Sequence, residues 1–192
     1  MIRATLIRPL AAALLWVLTV LPAQTEPVAY RLDTTQSEVN FTYDFQGTPK
    51  QGTMPVQAAR MRLDLDNVAA SQVDVTLDAN AAKAGFILAT QTMKGPQVLD
   101  TENFPTIRFR STSITGSLGG ARVAGDLTLR GVTRPVTLDA GLFRQGGTPR
   151  TSRDKLVVLL TGTISRSAFG AGGFPGYVGD RIDLRIVAAI EK

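Results

Sequence analysis

The chain has 192 residues, 44% of them apolar, a formal net charge of +5, and neither cysteine nor histidine. That length suits one domain of ordinary size with a real core. The two missing residue types exclude disulfides, thiolate nucleophiles, Ser-His-Asp triads, and zinc or copper centres built on imidazole or thiolate; no run has the Asp-rich spacing of a calcium loop either.

The first segment, "MIRATLIRPLAAALLWVLTVLPAQTEP", carries Arg3 and Arg8 and then an apolar run over residues 9–23, broken only by Thr19. The run is about 15 residues, short of the roughly 20 needed to span a bilayer. With the small Ala23 after Leu21 and Pro22, the pattern predicts a secretory signal peptide over 1–23 and an exported domain over 24–192. Without cysteine this is no lipoprotein, and export permits disulfides without requiring them. Cleavage removes two of the 21 basic residues and none of the 16 acidic ones, so the net charge falls from +5 to +3. The remaining charges alternate in sign, as in "ARMRLDLD", "IRFRST" and "RIDLRI". That is the pattern of solvated strand faces, and no nucleic-acid partner is expected.

Strand signals follow in chain order. "YRLD" comes first, then "QSEVNFTYDF", where Val39, Phe41, Tyr43 and Phe45 alternate with polar residues, the period of a half-buried strand. "GTPKQG" (47–52) reads as a turn, followed by "GTMPV" with Met54. "ARMRLDLD" turns Met61, Leu63 and Leu65 inward, and "SQVDVTLDA" repeats the pattern with Val73, Val75 and Leu77. The stretch 80–100 breaks it. There Asn80 is placed to cap a helix running to about Lys94, with Gly85 weakening it by about 1 kcal/mol relative to alanine. Strands resume with "PTIRFRSTSI", which contains Phe109, and a Gly116–Gly120 turn leads to "ARVAGDLTLR" and "RPVTLDAGLF". After the polar loop 144–154, "KLVVLLTGTISRSAF" is the most apolar strand and is expected to be the most buried. A Gly-rich loop (170–180) and "RIDLRIVAAIEK" close the chain. Eight or nine evenly spaced strands and one short helix predict an all-β sandwich or barrel. A closed eight-stranded barrel either fills its interior with side chains or holds one small ligand.

No nucleophile–base pair stands out, since no histidine is available to serve the many Ser and Thr residues. The loop 170–180 invites comparison with anion-cradling backbone nests but lacks the Gly-Lys-Ser/Thr ending of a P-loop, and reads as a flexible rim. The stripe Phe41, Tyr43, Phe45 fits core and pocket wall equally. The helix, with Phe86, Ile87 and Met93, either caps one end of a barrel or packs outside it; methionine suits a wall that adapts to varied apolar ligands.

Four short motifs, in order, carry a family likeness. "GDLTLRGVTRPVTLD" (125–139) resembles the signature of the YceI-like family of exported lipid-binding proteins. Ser37-x-Val39-x-Phe41 resembles its first long strand, and "LDTENFPTIRFRST" (99–112) its segment around an aromatic-Pro pair. "GTISRSAFG" (162–170) resembles its Arg-Ser-x-Phe-Gly motif, here Arg166, Ser167, Phe169 and Gly170. The likeness spans roughly residues 27–192. It implies a lipocalin-like, extended eight-stranded antiparallel barrel with one short helix. It also implies a long apolar cavity for a polyisoprenoid chain or quinone tail, a periplasmic location, no catalysis and no cofactor. The departures are Gln36 and Phe45 where the family commonly has histidines, Ala168 in place of an aspartate, and Met93 in place of a leucine. They remove polar groups, so the resemblance reaches the scaffold better than the head-group chemistry of the ligand.

The resulting expectation is an exported binding protein that transports, stores or senses a long-chain apolar lipid. The residues expected to line its channel are Phe41, Tyr43, Phe45, Met54, Leu63, Val75, Leu77, Phe86, Met93, Phe109, Leu127, Leu129 and Phe169. A transient contact with a membrane or membrane protein, and a homodimer, are compatible with it. Two other readings stay open. One is a lipid isomerase or cyclase on the same barrel, which needs a buried carboxylate or lysine facing inward, whereas the alternation turns Asp126, Asp139 and Asp183 outward. The other is a structural barrel filled by its own side chains, which has no cavity.

Overall fold

Period-two patterning resolves into ten strands in a computed structural model that describes residues 26–147, 149 and 151–192. The strands are β1 (Val28–Leu32), β2 (Glu38–Phe45), β3 (Thr48–Thr53), β4 (Val56–Leu63), β5 (Gln72–Asp78), β6 (Thr106–Ser117), β7 (Gly120–Leu129), β8 (Val132–Arg144), β9 (Lys155–Ser165) and β10 (Val178–Glu191), with one helix, α1 (Ile87–Lys94). The expected signal peptide, residues 1–23, lies outside the described residues.

The ten strands make an eight-stranded closed barrel because two of its staves are interrupted. Both β1 and β2 pair with the 14-residue β10, at Leu32↔Ile190 and at Glu38↔Val187, so they act as one stave broken by the 33–37 turn. Likewise β3 pairs with β2 and β4 with β1, forming one stave broken at Met54-Pro55. All pairings are antiparallel, and β1–β10 seals the seam. Closure leaves a single apolar interior, with one cluster around Phe41, Leu127 and Phe169 near α1 and another around Tyr30, Met61, Leu156 and Ile190 near the opposite end.

Three local expectations need correction. Residues 47–52, read as a turn, are mostly the strand β3; the turn is only Gln46 and Gly47, both at positive φ, the two-residue geometry of a tight hairpin. Pro49 is tolerated because β3 is laddered on one side only, apart from a single bridge between Thr53 and Lys83. The helix starts at Ile87 rather than Asn80: Gly85 sits at φ +85, and residues 82–84 run against β3, with Thr53 and Lys83 exchanging backbone hydrogen bonds of 2.8 and 2.9 Å. Finally, β9 is apolar on both faces yet only half covered. The best-buried strand is β7, whose Val123, Gly125, Leu127 and Leu129 all face the interior.

Candidate functional site

An apolar cavity of ≈ 310 Å³ occupies the barrel, within the size range of small-molecule sites. It runs from Leu65, Val68 and Leu118 at one mouth to Met93, Val98 and Leu99 beneath α1. Strand β10 supplies Ile182, Leu184, Ile186 and Ala188 to its wall, alternating with outward-facing residues such as Asp183 and Arg185. The wall takes residues from both ends of the interior, Phe41, Leu127 and Leu129 near α1 and Met61, Leu63 and Val158 toward the other end. The space therefore has the form of a tunnel. Its presence excludes a barrel filled by its own side chains.

Nine of the thirteen expected residues stand on this wall: Phe41, Met54, Leu63, Val75, Leu77, Met93, Phe109, Leu127 and Leu129. Four do not. Tyr43 is buried, but its hydroxyl donates to the Ala84 carbonyl at 2.8 Å, which directs the ring against the 82–84 segment. Phe45 packs edge-on against Phe86, ring centroids 6.0 Å apart, outside the tunnel. Phe169 is buried in the turn after β9, packed into the cluster near α1. The rings of Tyr43, Phe45 and Phe169 are consumed in packing, while Phe86 lies at the surface, touching Phe45. Sequence reasoning missed two classes: larger aliphatics such as Val39, Ile107, Ile114, Ile182 and Leu184, and the small Ala59, Ala121, Ala140, Gly141 and Ala188, where volume stays open. The alternation of "RIDLRIVAAI" on β10 was the available signal for the larger ones.

Among the described residues two charged side chains reach the wall, Asp64 and Arg166, and both are engaged by the backbone. The Asp64 carboxylate accepts the N–H groups of Asp66 and Asn67 at 2.9 and 2.8 Å, closing the turn after β4. Arg166, buried, donates from Nε to the Gly179 carbonyl, from Nη1 to those of Ala171 and Gly173, and from Nη2 to that of Val178, at 2.7–2.8 Å. Burial lowers its basicity, and Asp180 partly offsets that. The Gly-rich loop 170–180 thus directs carbonyl oxygens onto a cation, the wrong polarity for a phosphate cradle, and it is bound rather than loose. Arg130 donates to the carbonyls of Gly170 and Pro96, and Arg134 donates to that of Ala168 at 2.8 Å. The Arg-Ser-Ala-Phe-Gly stretch is therefore architecture: it ends at Gly170 in the left-handed region (φ +72), and the Ser167 N–H is held by Asp180 at 2.8 Å.

Asp126 and Asp139 are exposed, and Asp183 pairs with Arg181 on the outside at 2.7 Å. Among the described residues no group of three or more Asp or Glu side chains is placed to hold a metal ion. Helix α1 roofs the end of the tunnel: Met93 lines it, Ala89 packs beside it, and the Thr90 hydroxyl accepts from the Ala84 N–H and donates to the Phe86 carbonyl.

Comparison with known proteins agrees with this geometry. The YceI protein of Escherichia coli (strain UMN026 / ExPEC) is 36% identical over 86 residues, 45% of this chain and 45% of its own length. A protein of Yersinia pestis (strain Pestoides F) matches equally, so the match spans about half the length of these curated relatives. Among solved structures, BcnA of Burkholderia cenocepacia superposes with a TM-score of 0.73 at 20% identity, covering 83% of this chain and 99% of that one. A polyisoprenoid-binding domain from Saccharophagus degradans superposes with a TM-score of 0.61 at 14% identity, covering 85% of this chain and 98% of its own. At these identities the structural likeness speaks for the fold alone. The family model described as a YceI-like domain matches residues 30–190, nearly the whole described chain, and the protein belongs to the YceI-like family.

Proposed function

We propose that this chain is an exported carrier that holds one long apolar lipid, a polyisoprenoid or the tail of a quinone, inside its barrel. The observation that carries the reading is the tunnel itself: lined at both ends of the barrel, walled by aliphatic and aromatic side chains, with its two charged groups already occupied. Such a wall discriminates by shape and apolarity. Each buried methylene contributes about 0.8 kcal/mol, and ordering a flexible chain takes back part of it, so a long tail is retained without polar contacts. The polyisoprenoid-binding domain of Saccharophagus degradans, on the same fold, supports this ligand class. An enzymatic reading has less support, because among the described residues no inward carboxylate or lysine beyond Asp64 reaches the cavity. The signal-like segment 1–23 supports export, and the periplasm is the proposed location.

The test is to purify the protein from the periplasmic fraction without detergent, extract it with organic solvent and analyse the extract by mass spectrometry. A stoichiometric isoprenoid is the expected result. Ala188→Phe, which places a ring in the tunnel, is expected to abolish the co-purified lipid while keeping the fold. A clean extract from the folded wild type, together with no uptake of added quinone or polyprenol, would overturn the reading.

A further inference from the structure

The barrel's two ends differ on the outside, and the difference points to a partner. At the end opposite α1, charges are paired: Arg153 grips Asp66 with two hydrogen bonds of 2.9 Å, and Lys192 approaches Asp154 at 3.5 Å. At the α1 end the surface is apolar. Ile87 is 79% and Leu88 68% exposed, on the side of the helix away from Ala89 and Met93. Phe86, Phe174 and Tyr177 are exposed beside them. These residues surround one place, the β2–β3 turn. Phe86 rests on Phe45, the Gln46 N–H donates to the Tyr177 carbonyl at 2.9 Å, and the Gly173 N–H reaches the Gln97 carbonyl just past the helix at 3.0 Å.

Two further observations bear on the patch. Phe174 holds a left-handed backbone, φ +58, in a turn where its carbonyl accepts from the Tyr177 and Val178 N–H groups at 3.0 Å, and this turn leaves its ring 38% exposed beside Tyr177. The unengaged charge is also basic. The segments 45–52, 82–98 and 170–179 that build this end carry Lys50, Lys83 and Lys94, while the carboxylates at their borders, Asp44, Asp100 and Asp180, are each held within the protein, by the Gly47 N–H, the Asn103 side-chain amide and the Ser167 N–H. None of the three lysines makes an ion pair among the described residues. Apolar side chains ringed by unpaired lysines are the complement of a bilayer surface, acyl region below and anionic headgroups around it.

We infer that the α1 end of the barrel docks on an anionic phospholipid membrane, with Ile87 and Leu88 entering the headgroup–acyl boundary. The inference rests on the carrier reading for its purpose, since docking there sets the roof of the tunnel against the source or destination of the lipid. The docking itself is measured without cargo.

The test is co-flotation of the full mature chain with vesicles of phosphatidylethanolamine and phosphatidylglycerol, and with vesicles of phosphatidylcholine alone. Binding is expected to the first and not the second, and to weaken as salt is raised. The double variant Ile87→Ser, Leu88→Ser should bind about tenfold more weakly, two exposed apolar side chains having been removed. Lys83→Glu with Lys50→Glu should abolish the preference for the anionic vesicles. All substituted side chains are on the surface, and thermal melting confirms that the variants fold. Equal binding to both vesicle types, or unchanged binding by either variant, would overturn the inference. So would sedimentation showing that the serine variant breaks a dimer while vesicle binding stays as it was, which would assign the patch to a second copy. Vesicle binding by a protein that yields no lipid on extraction would defeat the carrier reading alone and leave the docking in place.

Discussion

Arg166 turns a glycine-rich loop into a fixed part of the barrel. Four carbonyls converge on its guanidinium at 2.7–2.8 Å, with no carboxylate in hydrogen-bond contact. Such a hub needs donors spread over a plane, which lysine does not offer. Arg166→Lys is therefore expected to destabilise the protein by about 2 kcal/mol, and Arg166→Met by about 4 kcal/mol because the carbonyls then lack donors in a buried place. Chemical denaturation midpoints check both, and a loss below about 1 kcal/mol for the methionine variant would refute the role. The residues most legible in the sequence were those whose type and period agree, such as Leu127 and Leu129, alternating inward on β7. Least legible was emptiness: a tunnel exists where Ala140 and Ala188 leave room, and no residue type announces a void. Of the aromatic residues that looked like wall, Phe41 and Phe109 are wall, Tyr43, Phe45 and Phe169 are taken up in packing, and Phe86 lies at the surface.

Elements were read well where alternation was strong and poorly where tertiary pairing decided. Strand β3, with sequence TPKQGT, has little strand propensity and is drawn into the sheet by β2, which presents a complete ladder to it. The helix expectation over 80–94 followed composition, and a backbone at φ +85 in Gly85 ended it seven residues short at its start. The β7–β8 hairpin is the converse case. Arg130 and Gly131, both at positive φ, form its two-residue turn, and Leu129 faces Val132 directly. Within that hairpin Gly125 is needed for space: a Cβ there would stand 2.5 Å from both the Arg110 carbonyl oxygen and the Phe109 ring. Gly125→Ala is expected to cost about 2–3 kcal/mol through forced displacement of β6 from β7. A melting curve decides it, and an unchanged midpoint would show that β6 yields freely.

For the whole molecule, the absence of histidine predicts an unusual pH profile. No side chain has its ordinary pKa near neutrality. Asp66, Asp74 and Asp183 are held below the usual carboxylate range by hydrogen bonds from Arg153, Arg108 and Arg181, and Asp180 by those of Ser165 and Ser167. Groups whose folded pKa is lowered stabilise the protein above their unfolded value, and that contribution is lost as pH falls through the folded one. Melting temperature should stay flat from about pH 8 to pH 5 and drop below about pH 4. A step between pH 6 and 7 would contradict this account.

The seam between β1 and β10 has a consequence for time as well as shape. Arg31 and Glu191, which meet across it, are 160 positions apart. We predict that contacts of such separation form late, because loop closure must precede them; pulsed hydrogen exchange that protects β1 as early as β7 would refute this order. Until they form, the interior is an open, curved sheet that presents Leu127, Leu160 and Ile186 to whatever surrounds it. A long lipid meeting that sheet lies along a broad face, whereas one meeting the finished barrel must thread a narrow tube from its end. Assembly and occupancy are thus coupled by topology: the last pairing to form is the one that turns a surface into an enclosure.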